Sequence, residues 1–102
     1  MRILVTGASG FVGPHVCEAL TASGHDVWST DRVEAPEHPQ HRHCDLIDPK
    51  AVRQLVASIA PEAIVHLASM ASVGESFEQP QKTLTNNLTA ACNVLEAVRH
   101  EA

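Results

Sequence analysis

Two kinds of hydrophobic run alternate along this chain. Residues 2–5 (RILV) are almost continuously apolar and stop at Thr6-Gly7, the pattern of a short strand covered on both faces and ended by a turn. Over residues 11–23 the apolar positions Val12, Val16, Ala19 and Leu20 fall at helical spacing, with Gly24 placed to end the helix. Residues 25–30 (HDVWST) predict a second, less apolar strand that runs into Asp31. The stretch 33–43 holds Pro36, Pro39 and three histidines, and predicts a surface loop leading into a short strand near residues 41–44. Asp48-Pro49 is a cap followed by a helix-starting proline, after which Val52, Leu55, Val56 and Ile59 repeat at i, i+3, i+4 and i+7 up to Pro61. Residues 63–68 (AIVHLA) predict a further buried strand, in which His66 reads as a satisfied core histidine. Leu84, Leu88, Ala91, Leu95 and Val98 mark a long helix reaching nearly to residue 102.

Strands that alternate with helices in this way pair in parallel, with the helices lying on the sheet faces. The chain therefore reads as α/β, about half of a doubly wound domain. In such sheets ligands bind beyond the carboxyl ends of the strands, so Thr6-Gly7, Asp31, Cys44-Asp45 and Leu67-Ala68-Ser69 should converge on one site.

The first of these ends carries the most specific chemistry. In Thr6-Gly7-Ala8-Ser9-Gly10-Phe11-Val12-Gly13 the glycines stand three apart between a strand and a helix. Glycine allows a tight turn and close approach of the backbone to a pyrophosphate, while helix-start amides supply donors and a favourable dipole. A glycine turn between strand and helix also serves plain packing, so the neighbouring residues matter. Asp31, 18 residues after Gly13, is placed to accept hydrogen bonds from an adenosine ribose. A carboxylate there repels a 2′-phosphate and favours NAD over NADP, although the adjacent Arg32 is able to pair with that phosphate. Pro14 falls in the first helical turn, where its missing N–H costs no intrahelical bond, and His15 should be exposed.

These residues together resemble the N-terminal part of the extended short-chain dehydrogenase/reductase family, the NAD-dependent sugar-nucleotide epimerases and dehydratases. TGASGFVG is similar to that family's TGxxGFxG turn, which assigns Gly7, Ser9, Gly10, Phe11, Val12 and Gly13 to the cofactor. Cys44-Asp45-Leu46-Ile47-Asp48 resembles the DLxD segment, which implies that Asp45, beside Leu46, meets the adenine amino group. His66-Leu67-Ala68-Ser69 resembles the HLAA strand end, placing Leu67, Ala68 and Ser69 beside the cofactor. Residues 71–97 resemble the segment carrying V-x-x-S, a proline and N-V-x-G-T-x-N-L-L-E-A. Ser76, Asn87 and Glu96 sit at matching positions there, and Ala90-Ala91 replaces Gly-Thr. The resemblance spans essentially the whole chain and implies a partial Rossmann domain, one unit over residues 1–102, of about four strands in the order 3-2-1-4. That order leaves the strand near residues 63–67 at an edge.

Composition sharpens what the resemblance implies. The family acts through a Ser/Thr and a Tyr-x-x-x-Lys pair, yet these 102 residues contain no tyrosine, and the lysines Lys50 and Lys82 match helix positions. At 44% hydrophobic and 19% charged the chain is one ordinary soluble domain or part of a larger one. Seven Lys plus Arg against twelve Asp plus Glu offer no surface for nucleic acid. No apolar run approaches the roughly 20 residues that span a bilayer. Three widely spaced cysteines, Cys17, Cys44 and Cys92, suit a reducing, cytoplasmic compartment. His38, His41, His43 and Cys44 crowd one region, but at a spacing that fits no common zinc pattern. Three functions stay open: a dinucleotide-binding module inactive alone, an epimerase or dehydratase completed by a missing half, and a non-enzymatic assembly module. An apolar edge strand invites pairing, so a homodimer through that edge or through a swapped C-terminal helix is expected.

Overall fold

A short parallel sheet forms the centre of the structure, a computed structural model that describes residues 1–35, 38–68 and 79–101. In chain order the elements are β1 (Arg2–Thr6), α1 (Gly13–Ala22), β2 (Asp26–Asp31), β3 (His41–His43), α2 (Pro49–Ile59), β4 (Ala63–His66) and α3 (Pro80–Glu101). The four strands lie in the order β3-β2-β1-β4, all pairs parallel, as the sequence predicts. β1 sits in the middle because it is the most apolar strand and both its neighbours cover it: Leu4 and Val5 are almost fully buried. Leu4 joins a core with Val52, Leu55, Val56 and Ile59 of α2 and Ala90, Val94 and Ala97 of α3. Successive side chains on a strand face opposite ways, so Ile3 and Val5 point to the other side, where α1 packs on β1 and β2.

The predicted α2 forms for the reason its sequence gives. The Asp48 carboxylate accepts hydrogen bonds from the amides of Lys50 and Ala51 at 3.1 and 3.3 Å, and Pro49 occupies the first turn. Ala60 stops the helix in the left-handed region at φ 50° and Pro61 prevents its continuation. Replacing Asp48 by alanine removes an acceptor from two orphan amides and is expected to cost about 1 kcal/mol, read as a lower urea midpoint at unchanged slope.

The packing departs from the hydrophobic pattern in three places. The apolar stripe read along the last helix faces outward, with Leu84, Leu88 and Leu95 being 69, 61 and 68% exposed. The face that packs is Thr83, Ala90, Val94 and Ala97, small residues that let α3 lie close against α2. The strand near residues 63–68 is only half-buried, since its β1 side is paired and its other side is the sheet edge. His66 is accordingly exposed and is no core histidine. The stripe on α1 is half-buried at best, with only Gly13 fully covered, because among the described residues α1 packs chiefly on β1 and β2.

Candidate functional site

The glycine turn, the ends of β2 and β3, and the start of α3 enclose one cleft of about 480 Å³ at the carboxyl edge of the sheet. Gly7, Ser9, Gly10, Phe11, Val12, Gly13, Asp31, Arg32, Asp45, Leu46, Leu67, Ala68 and Asn87, each singled out from sequence, all line it. Ser69, with Ser72 and Ser76, lies outside the described residues. Parallel pairing is what gathers the rest: every strand delivers its C-terminal end to the same edge.

The turn is tight where the sequence requires glycine. Gly7 has φ +69°, and a Cβ there would lie 2.6 Å from the Ala68 nitrogen; a Cβ on Gly13 would lie 2.3 Å from the Ala8 carbonyl oxygen. The cradle is therefore closed to any side chain at these two positions. Val12 caps α1 and Gly13 opens it, where helix geometry leaves their amides without intrahelical acceptors, and both residues line the cleft. Phe11, 93% exposed, lines the cleft and meets His15 in an edge-to-face arrangement, the centroids 6.4 Å apart.

Asp31 ends β2 and ties the turn to it. One carboxylate oxygen accepts from the Ser9 amide at 3.0 Å and the other from the Arg32 amide at 2.7 Å, while the Ala8 amide donates to the Thr30 carbonyl at 3.3 Å. Opposite, Asp45 bends the loop after β3 by accepting from the Ile47 amide at 3.2 Å through its side chain and from the Asp48 amide at 3.1 Å through its carbonyl. Burial, helped by the nearby Asp45 and Asp48 carboxylates, pushes the Cys44 thiol up to about 11, so this cleft residue is neutral at physiological pH. Of the crowded histidines, His41 bonds Ser29 Oγ through Nδ1 and the Val33 carbonyl through Nε2, each at 2.9 Å.

Cys44, expected at this edge together with Asp45, lines the cleft as well, whereas sequence reasoning missed Val33, Ile47, Asn86 and Ala90 as cleft-lining residues, and Asn93 as a support. The Asn93 amide group donates to the Leu46 carbonyl at 2.8 Å and so fixes the Asp45 loop from α3. The signal was present as spacing: Asn86, Ala90 and Asn93 recur at i, i+4 and i+7, a polar and small stripe on one helix face.

A parallel sheet in the order 3-2-1-4, with a glycine turn between its central strand and the first helix, is a Rossmann-type fold. A sequence profile of the NAD dependent epimerase/dehydratase family matches residues 3–102, and the chain belongs to that family. It is 38% identical over 98 residues to GDP-6-deoxy-D-mannose reductase of Pseudomonas aeruginosa, which covers 96% of this chain and 29% of that protein. It is 34% identical over 111 residues to UDP-glucose 4-epimerase of Bacillus subtilis, covering 96% of this chain and 33% of the relative. Among solved structures, UDP-glucose 4-epimerase of Thermus thermophilus in complex with NAD matches with a TM-score of 0.86 at 35% identity, over 98% of this chain and 34% of that one. The chain thus spans about a third of the length of these relatives.

Proposed function

We propose that residues 1–102 form the NAD-binding part of an epimerase/dehydratase-type oxidoreductase, and that the chain alone binds the cofactor without turning over substrate. The cradle at Gly7 and Gly13, which a Cβ would fill and which opens onto the cleft beside the Asp31 carboxylate, carries this assignment. When bound, a nicotinamide dinucleotide supplies a hydride acceptor and, once reduced, a hydride donor. Amides at the start of α1 face where a pyrophosphate would lie, Asp31 takes the ribose hydroxyls, and Asp45 with Leu46 borders the adenine. Leu67 and Ala68, with Ser69, form the far wall, and Asn87 approaches from α3. The carboxylate of Asp31 favours NAD over NADP.

The sequence contains no tyrosine, so the proton transfer that accompanies hydride transfer in this family needs a group from a further polypeptide segment. Two surfaces suit such a segment or a second copy: the outer side of β4 and the exposed leucine seam of α3. We favour a homodimer through them. α3 rests on α2 of its own chain, which supports edge pairing over exchange of that helix. A cytoplasmic setting accords with three free cysteines.

Light scattering followed by calorimetric titration tests this function. The expected result is a dimer that binds NAD saturably and more tightly than NADP, with no hydride transfer to or from nucleotide sugars. A folded protein giving no heat with either cofactor would overturn the cofactor assignment in favour of an assembly module.

A further inference from the structure

We propose that His66 is a positioning residue for the cleft, holding through Nδ1 the Thr6 hydroxyl that joins the ends of β1 and β4 beneath the glycine turn. As a claim about cofactor affinity it rests on the NAD assignment above; as a claim about the turn it stands alone.

Thr6 and His66 are register partners in the β1–β4 pair, and Thr6 is 1% exposed. Its Oγ1 lies 2.7 Å from His66 Nδ1, 3.1 Å from the Leu67 amide and 3.3 Å from the Ala68 amide. The Leu67 amide is shared with the Thr6 carbonyl, also at 3.1 Å. A hydroxyl has one proton and two lone pairs. With both lone pairs facing backbone N–H donors, the proton goes to the imidazole. His66 is then neutral, with Nδ1 the acceptor and Nε2 carrying the hydrogen.

The bond matters because the next two residues have no slack. Gly7 follows Thr6 and Ala68 follows Leu67, and a methyl group would not fit between their backbones. A displacement of Ala68 is therefore passed directly to Gly7, the first residue of the turn. Protonating His66 turns its Nδ1 into a third donor aimed at an oxygen with no lone pair left, and strands the Thr6 proton. Partial burial of the side chain lowers the His66 pKa below its ordinary 6.5. Thr6 brings no charge from β1; among the described residues, the charged groups that share the groove at the β4 edge with His66 are the carboxylates Glu62 and Glu101. A base whose folded pKa is lowered stabilises the fold above its unfolded pKa and loses that contribution as pH falls through the folded value. The clamp is thus closed at neutral pH and opens as acidification passes a folded value that lies below the ordinary one.

Imidazole nitrogen-15 spectra, hydrogen exchange at Leu67 and Ala68, and NAD titration test the assignment on wild type, His66→Phe and His66→Asn. The spectra should show the Nε2–H tautomer at pH 7.5. His66→Phe should speed Ala68 exchange and weaken NAD by about tenfold each, and His66→Asn, whose carbonyl oxygen replaces Nδ1 as acceptor, should restore both. An Nδ1–H tautomer, which needs no variant to detect, overturns the proposal, as does unchanged Ala68 exchange in His66→Phe or failure of asparagine to rescue. If wild type ignores NAD while the tautomer, exchange and rescue follow expectation, the clamp stands and the cofactor assignment falls.

Discussion

Gly7→Ala is expected to destabilise the domain by about 3 kcal/mol or more and to abolish dinucleotide binding. Two costs combine at that position. The backbone sits at φ +69°, which costs an L side chain about 1–2 kcal/mol, and the new methyl carbon would lie 2.6 Å from the Ala68 nitrogen, an overlap that backbone atoms relieve only by moving β4 away from β1. A domain of this size has about 5–15 kcal/mol of total stability to draw on, so the loss is a large share of it. Gly24 separates the two causes: its φ is +89°, yet among the described residues nothing lies within 4 Å of where a Cβ would stand, so Gly24→Ala should show the backbone cost alone. Gly10 gives the opposite control, with an ordinary φ and only the Gly7 carbonyl at 3.3 Å. Urea unfolding of the three variants should rank Gly7→Ala far below the other two. A Gly7→Ala midpoint equal to that of Gly24→Ala would mean that the β1–β4 contact does not confine the turn.

The same contact shows why some of this molecule was legible in sequence and some was not. The glycine turn and the strand ends could be read because backbone conformation and parallel pairing are local, regular consequences of residue type. α3 is different. It carries two heptad-like seams one residue apart: Thr83, Asn87, Ala90, Val94 and Ala97, and beside them Leu84, Leu88, Ala91, Leu95 and Val98. Hydrophobicity favours the second, but the close approach of α3 to α2 selects the first, since small side chains permit it. Periodicity alone established the helix and left its rotation undetermined, and Asn86 and Ala90 were missed as cleft residues for that reason. His66 was misplaced on similar grounds. Its strand is apolar in sequence, but an edge position is a property of the sheet order, and only the register with Thr6 reveals what the ring does.

Removing the Asp31 carboxylate is the second change with a large expected effect, and it reads the cofactor preference directly. In the free protein that carboxylate is already engaged, holding the Ser9 amide at 3.0 Å and the Arg32 amide at 2.7 Å. Asp31→Ala is therefore expected to loosen the turn and to delete the proposed ribose acceptor together. One charged hydrogen bond contributes about 1.5–3 kcal/mol, so NAD affinity should fall roughly ten- to hundredfold. NADP should respond in the other direction, because the charge that repels a 2′-phosphate is gone while Arg32 remains beside it. Asp31→Asn divides these effects. Its amide oxygen can still accept from Ser9, so the turn stays ordered and NAD loses less, whereas discrimination against NADP collapses as it does in alanine. Because that discrimination is Coulombic, it should shrink in the wild type as salt rises toward molar concentrations, where the screening length drops to about 3 Å. Calorimetric titration of both cofactors into the three proteins at low and high salt gives the answer. If NADP affinity is the same in all three, the carboxylate does not face the ribose and serves only to anchor the glycine turn to β2.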